Sequence, residues 1–248
     1  MTQRANELKL PESLQRARAR ASKVFSGRTD PWADLGLTLP VLLGYHLGVV
    51  FLPMRNAADF VTVHLNQLAN FSILAYAGLT LLISAIFIGV LVLIGRGKKL
   101  HWKRFASVIA EGTLYAVLMG WSAGYLVGSL PLASGPENYG FFSGIVMSFG
   151  AGFYEEVAFR VVLFGLGLRL IQRYYKKRAT MVALGWAVTT SIVFSAWHYV
   201  GAFGDSFTLA SFVFRFLCGL AFVAIYRYRG FAPAVWTHTL YDVWVLAL

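Results

Sequence analysis

Seven ionisable side chains, Glu155, Glu156, Arg160, His198, Arg215, His238 and Asp242, fall inside long apolar runs of this 248-residue chain, and Glu111 lies near the start of another. An ionisable group within a membrane helix costs roughly 2.5–3.5 kcal/mol on insertion scales, so such residues mark a functional site or a buried pair. Helical spacing sorts them. Glu156 and Arg160 are four apart and can pair along one face, whereas Glu155 is turned about 100° away. Phe194 and His198 are also four apart, as are His238 and Asp242. Three late apolar runs therefore each offer one polar stripe, and three stripes could meet inside a bundle. Carboxylates and imidazoles so gathered could activate water, ligate a metal, relay ions or protons, or form a purely structural polar network.

The elements that must position these stripes are membrane helices. The chain is 58% hydrophobic and 13% charged, with a mean hydropathy of +0.63, against about 45–50% and 25% for soluble domains. A bilayer core of about 30 Å takes about 20 helical residues. Apolar runs of that order cover 35–53, 71–95, 105–130, 139–168, 181–200, 207–226 and 231–248. The expected fold is an all-α polytopic bundle of about seven spans. A basic cytoplasmic arm over 1–30 precedes a membrane domain over 31–248. Breaker or charged stretches separate the runs, such as Gly95–Lys99 and Pro131–Pro136.

Orientation follows from where the positive charges fall. With the N-terminus in the cytoplasm, 19 of the 22 Lys and Arg lie in the arm, in 96–104, in 169–178 and at Arg227 and Arg229. The outer loops hold Arg55 alone, and Arg160 and Arg215 lie within spans. The net charge of +11 thus reads as a membrane-facing balance, and no nucleic acid partner is expected. The single cysteine, Cys218, lies in an apolar run and excludes a disulfide framework or a Cys-based metal site.

Glu155-Glu156-Val-Ala-Phe-Arg160 is an EExxxR motif, Phe194-Ser-Ala-Trp-His198 is FxxxH, and His238-Thr-Leu-Tyr-Asp242 is HxxxD. In this order, on successive late spans within about 150–248, they resemble the CAAX protease and bacteriocin-processing family of intramembrane endopeptidases, also called the Abi family. The prenyl-protein-processing enzymes of eukaryotes and archaea belong to it. The first three spans offer no motif, and no HExxH occurs, so an ordinary zincin pattern is missing.

The resemblance implies a glutamate-type hydrolase that needs no cofactor. Glu155 would be the general base on water, with His198 holding and polarising that water. His238 and residue 242 would stabilise the oxyanion, while Glu156 and Arg160 brace the helix, with Phe194 in support. These residue types suit the reaction, which needs a positioned base and donors aimed where charge develops. Asp242 departs from the pattern, because prenyl-protease members typically carry Asn there, although aspartate also occurs in bacterial members. An ionised Asp cannot donate, so Asp242 is either protonated, or orients His238, or signals a bound metal. In a zinc-dependent version Glu155, His198 and His238 would be the ligands. The implied partner is a membrane-associated protein or peptide substrate within the lipid bilayer, of CAAX type or bearing a C-terminal anchor. The implied setting is a bacterial or archaeal cytoplasmic membrane.

The same residues admit other readings. A non-catalytic immunity or scaffold protein, or a small transporter, could use the charges as a relay. Gly120-Trp-Ser122-Ala-Gly124 fits a nucleophile-elbow pattern, but an elbow needs a strand-turn-helix context. Gly120, Gly124 and Gly128 read as a small-residue packing stripe instead. His46, His64 and His101 lie apart from the motifs, and core or interfacial roles are expected. Glu111 is expected to reach the cytoplasmic interface, and Arg215 to neutralise Glu156 or Asp242. Trp197, Trp236, Tyr241 and Trp244 flank the motifs, where packing and anchoring are the ordinary roles.

Overall fold

The computed structural model describes residues 31–95, 102–128, 140–175, 179–201 and 204–248. The basic arm, His101 and the stretch Pro131–Pro136 lie outside the described residues. Among those described, every regular element is helical. They are α1 (Pro31–Val49), α2 (Val61–Leu68), α3 (Ile73–Ile94), α4 (Trp102–Val127), α5 (Phe141–Gly150), a π-helical segment π1 (Ala151–Leu166), α6 (Gly167–Tyr174), α7 (Ala179–Trp197), α8 (Leu209–Tyr228) and α9 (Phe231–Leu246).

Among the described residues, four helices are long and apolar enough to cross a membrane, over Ile73–Leu93, Trp102–Val127, Ala179–Trp197 and Leu209–Tyr228. Helix α3 is the plainest of them. It is apolar all round, and most of its large side chains, such as Leu81, Ile86 and Leu93, are exposed, as a helix solvated by lipid should be. The other three expected spans are helical but less regular. Helix α1 carries Pro40 inside it. The run from Phe141 to Tyr174 changes from α to π winding and back. Helix α9 has 16 residues, about 24 Å at 1.5 Å each, which is short of the roughly 30 Å hydrocarbon core.

Helix α9 is the centre of the bundle, packed against α1, α4, α5, π1 and α8. Nine consecutive residues, Phe231 to Thr239, are buried, so it is enclosed on every face rather than on one stripe. Its own N-cap, Gly230, has no side chain to offer. Helix α1 supplies the missing cap: Asp34 accepts from the backbone N–H of Phe231 at 3.0 Å and of Ala232 at 3.3 Å. The carboxylate thereby meets the positive end of the helix dipole. One turn further on, Trp236 donates its indole N–H to the Leu37 carbonyl at 2.9 Å.

Glu111 and Arg229 fasten the same end. Glu111 is only 7% exposed and forms a two-pronged pair with Arg229, Nη2 to Oε2 at 2.9 Å. What it meets there is the guanidinium of Arg229 at the α8–α9 turn, rather than solvent. At the other end of α9, close approach depends on missing side chains. A Cβ on Gly152 would lie 1.9 Å from Thr239 Oγ1, and one on Gly144 would lie 2.4 Å from the Leu246 carbonyl oxygen. The small-residue stripe on α4 divides in two. Gly120 packs under Tyr241, but Gly128 follows the helix end at a φ of +73°, where a Cβ would meet nothing within 4 Å among the described residues.

Candidate active site

The EExxxR stripe lies on π1, whose wider i→i+5 winding is a form seen often at functional sites. It still places Glu156 and Arg160 on one face: Arg160 Nε lies 3.2 Å from Glu156 Oε2. Both are fully buried. The pair is not aligned as a hydrogen bond, and none of the guanidinium nitrogens has a hydrogen-bond partner among the described residues. Aromatic faces enclose that charge instead. Its Cζ lies 4.1 Å from the Phe194 ring centroid and 4.8 Å from that of Phe222, where the ring quadrupole attracts a cation.

Glu156 also receives His238, whose Nδ1 lies 2.8 Å from Oε1. A carboxylate accepts, so Nδ1 carries the hydrogen. The imidazole stacks on Phe222 at 4.5 Å between centroids and 21° between planes, and Phe194 presents an edge to it at 6.0 Å. Its free Nε2 faces two acids, with Asp242 Oδ2 at 3.5 Å and Glu155 Oε2 at 3.9 Å.

Glu155, one residue from Glu156, points elsewhere. Its Oε1 accepts from Asn56 Nδ2 at 2.8 Å. Its Oε2 is buried with no hydrogen-bond partner among the described residues and lies 3.8 Å from His198 Nε2. His198 sits just past the end of α7 and is held by its own helix, with Nδ1 2.9 Å from the Phe194 carbonyl. A carbonyl only accepts, so Nδ1 donates, and in the neutral ring Nε2 turns a lone pair toward Glu155. The gaps of 3.8 and 3.9 Å are too long for direct hydrogen bonds and of the order that a shared water spans. A buried carboxylate oxygen without a hydrogen-bond partner costs free energy, and Glu155 Oε2 is one such atom among the described residues.

The structure thus brings together Glu155, His198, His238 and Asp242, with Glu156, Arg160 and Phe194 behind them. Two further residues take part that the motifs do not include. Asn56 belongs to the loop after α1, where its Oδ1 accepts from Ala58 N–H at 2.8 Å and its own N–H donates to the Tyr45 hydroxyl at 3.1 Å. Phe222 looks like any other apolar residue of α8. Neither has a neighbour at helical spacing that would single it out in the sequence.

Arg215 differs from expectation. It pairs with Asp205 rather than with Glu156 or Asp242, and its Nη1 donates to the Tyr199 hydroxyl at 2.9 Å and to Ser211 Oγ at 2.6 Å. The acid it neutralises is in the loop beyond His198, and the Asp205 N–H donates to the His198 carbonyl at 2.8 Å. The Arg215 cluster therefore braces the segment that carries His198.

The remaining residues take ordinary places. His46 is buried between the hydroxyls of Tyr76 at 2.9 Å and Tyr154 at 2.6 Å. His64 is on the surface, bonded to the Phe60 carbonyl. Trp236 and Tyr241 are core residues, and Trp197 and Trp244 are exposed. Ser122 is exposed in the last two turns of α4, beside an apolar groove between α4 and α8, with no strand-turn-helix around it among the described residues. Cys218 is buried and free. Among the described residues, no group of three or more His, Cys, Asp or Glu is arranged to hold a metal ion.

Comparison with known proteins agrees with the motif reading. Residues 137–244 match the family described as type II CAAX prenyl endopeptidase Rce1-like. The matched segment contains all three stripes and the whole of the site except Asn56. No curated protein matches the chain, and no solved structure does. Over residues 137–244 the chain is thus similar to the CAAX prenyl endopeptidases at the level of the family.

Proposed function

We propose that this chain is an intramembrane endopeptidase that hydrolyses peptide bonds of membrane-associated proteins or peptides by a glutamate-activated water. One observation carries the reading: the partnerless buried Oε2 of Glu155, set 3.8 Å from His198 Nε2 and 3.9 Å from His238 Nε2. A water between Glu155 and His198 donates one hydrogen to each. Glu155 takes the proton as the water oxygen adds to the scissile carbonyl carbon. Collapse of the tetrahedral intermediate breaks the C–N bond, and the proton passes from Glu155 to the leaving amine. Peptide hydrolysis by such a base accords with the family match.

His238 faces the same gap from the other side and is the oxyanion partner. Its Nδ1 is engaged by Glu156, so donation from Nε2 requires the imidazolium form. The carboxyls of Glu156, Asp242 and Glu155, at 2.8, 3.5 and 3.9 Å, surround that ring. In this reading Asp242 acts on His238 and does not donate to the oxyanion itself. Asn56 is a positioning residue: by holding Oε1 it fixes which oxygen of Glu155 meets the water.

The test is cleavage by purified variants. Glu155→Gln and His198→Ala each abolish hydrolysis while the protein remains folded and monodisperse in detergent. Full activity in either variant ends the glutamate mechanism. A zinc-dependent version predicts instead that phenanthroline removes activity and added zinc restores it.

A further inference from the structure

Among the described residues, the exposed side chains of the site lie on the side away from the basic loops. Contacts define the two ends of the bundle. At one end lie the start of α1, the α8–α9 turn, the end of α6 and the start of α7. Asp34 caps Phe231, Glu111 pairs with Arg229, and Gln172 donates to the Ala179 carbonyl. The described basic residues of this end are Lys103, Arg104, Arg169, Arg173, Arg227 and Arg229. In the sequence the runs 1–30, 96–101 and 176–178, which adjoin its elements, hold 13 more Lys and Arg. At the other end are the loop after α1, which holds Asn56, and the loop after α7, which begins at His198. The only Lys or Arg in those two loops is Arg55.

Burial within the site runs along the same axis. Toward the basic end, Glu156 and Arg160 are 0% and 1% exposed. Behind them Leu37, Val41, Phe164, Val223, Tyr226 and Trp236 form a packed apolar layer. Toward the loop end, the side chains of His198 and Asp242 are 24% and 17% exposed. Among the described residues the site is therefore exposed to solvent at the loop end and closed at the apolar layer.

The positive-inside rule puts the basic end in the cytoplasm. From these two directions together we infer that the site opens to the non-cytoplasmic face of the membrane. Its substrates are then membrane-anchored proteins or peptides whose scissile bond lies at that outer face, and not proteins attached to the cytoplasmic leaflet. The inference rests on the proposed site being the hydrolytic one, but its test does not depend on hydrolysis.

The experiment uses the full chain in a Cys218→Ser background, in right-side-out membrane vesicles, with a membrane-impermeant maleimide. Ser206→Cys, on the exposed loop after α7, labels to completion. Tyr174→Cys, at the end of α6, stays unlabelled until detergent is added. Asp242→Cys, at the mouth of the site, labels from the same side as Ser206→Cys. If that variant fails to fold, His198→Cys serves the same purpose. Labelling of Tyr174→Cys in place of Ser206→Cys overturns the inference, and so does a site cysteine that detergent alone exposes. An active Glu155→Gln protein would end the hydrolytic reading and leave this labelling pattern unchanged. A reversed pattern would leave the glutamate chemistry standing.

Discussion

Glu155 and Glu156 are neighbours in the chain, yet each belongs to a different side of the site. The Glu156 side is closed. Its carboxylate meets Arg160 and His238, and Phe194 and Phe222 cover the guanidinium and the imidazole. The Glu155 side is unfinished: one oxygen is held by a loop amide and the other faces two imidazole nitrogens across a gap. Each carboxylate keeps its Oε2 without a hydrogen bond among the described residues. That of Glu156 lies against the Arg160 guanidinium, and that of Glu155 against two imidazole nitrogens. In the proposed mechanism the same residue type therefore serves as framework at one position and as reagent at the next. A difference of one residue along π1 separates the two environments, as expected where successive side chains leave a helix in different directions.

Removing the reagent should affect rate and nothing else. Positioned general bases contribute about 10²–10⁴-fold, so Glu155→Gln should lower kcat by at least the upper part of that range, with an unchanged melting temperature in detergent. Removing the framework should do the reverse. Arg160→Ala leaves Glu156 as a buried charge without its partner, and breaking buried pairs costs about 3–5 kcal/mol. Yield and thermal stability should fall before any rate can be measured. A normal yield of fully active Arg160→Ala protein would mean the two sides are not distinct in this way.

The two sides are legible in the sequence to different extents. The Glu156 side is encoded at i,i+4 spacing within single helices, so spacing alone pairs Glu156 with Arg160 and His238 with Asp242. The separation of Glu155 from that pair follows from the same geometry. The Glu155 side is completed by a residue 99 positions away. A loop residue has no helical register to announce its direction, and nothing in the sequence distinguishes Asn56 from other polar loop residues. Phe222 is hidden for the opposite reason, since an aromatic ring in an apolar span has an ordinary explanation. For Arg215 the expected partners are acids within spans, whose burial demands a cation. Its actual partner, Asp205, lies outside any span and carries no such demand.

Asn56 offers a way to sharpen the comparison. Hydrogen bonds to charged groups are worth about 1.5–3 kcal/mol, and Asn56→Ala would release Oε1 without touching the Glu156 side. The expected result is a loss in kcat of roughly tenfold or more, within that range of energy, with little change in KM. Asn56→Gln should recover part of it. A fall in thermal stability matched by an equal fall in every kinetic constant would instead assign Asn56 to the loop alone.

The smallest effect expected concerns how the two sides stay aligned. His238 lies about two turns into α9, and the first turn of that helix is held by Asp34 from α1 rather than by its own Gly230. Losing an N-cap acceptor costs about 0.5–2 kcal/mol, so Asp34→Ala should lower the melting temperature modestly, and Asp34→Asn less. Rate should decline only to the extent that His238 moves relative to Glu155, because Glu111 with Arg229 and the Trp236 indole still fasten the same end. Unchanged melting in Asp34→Ala would show those two anchors to be sufficient. A rate loss as large as that of Glu155→Gln would show that the closed side depends on α1 as strongly as the open side depends on Asn56.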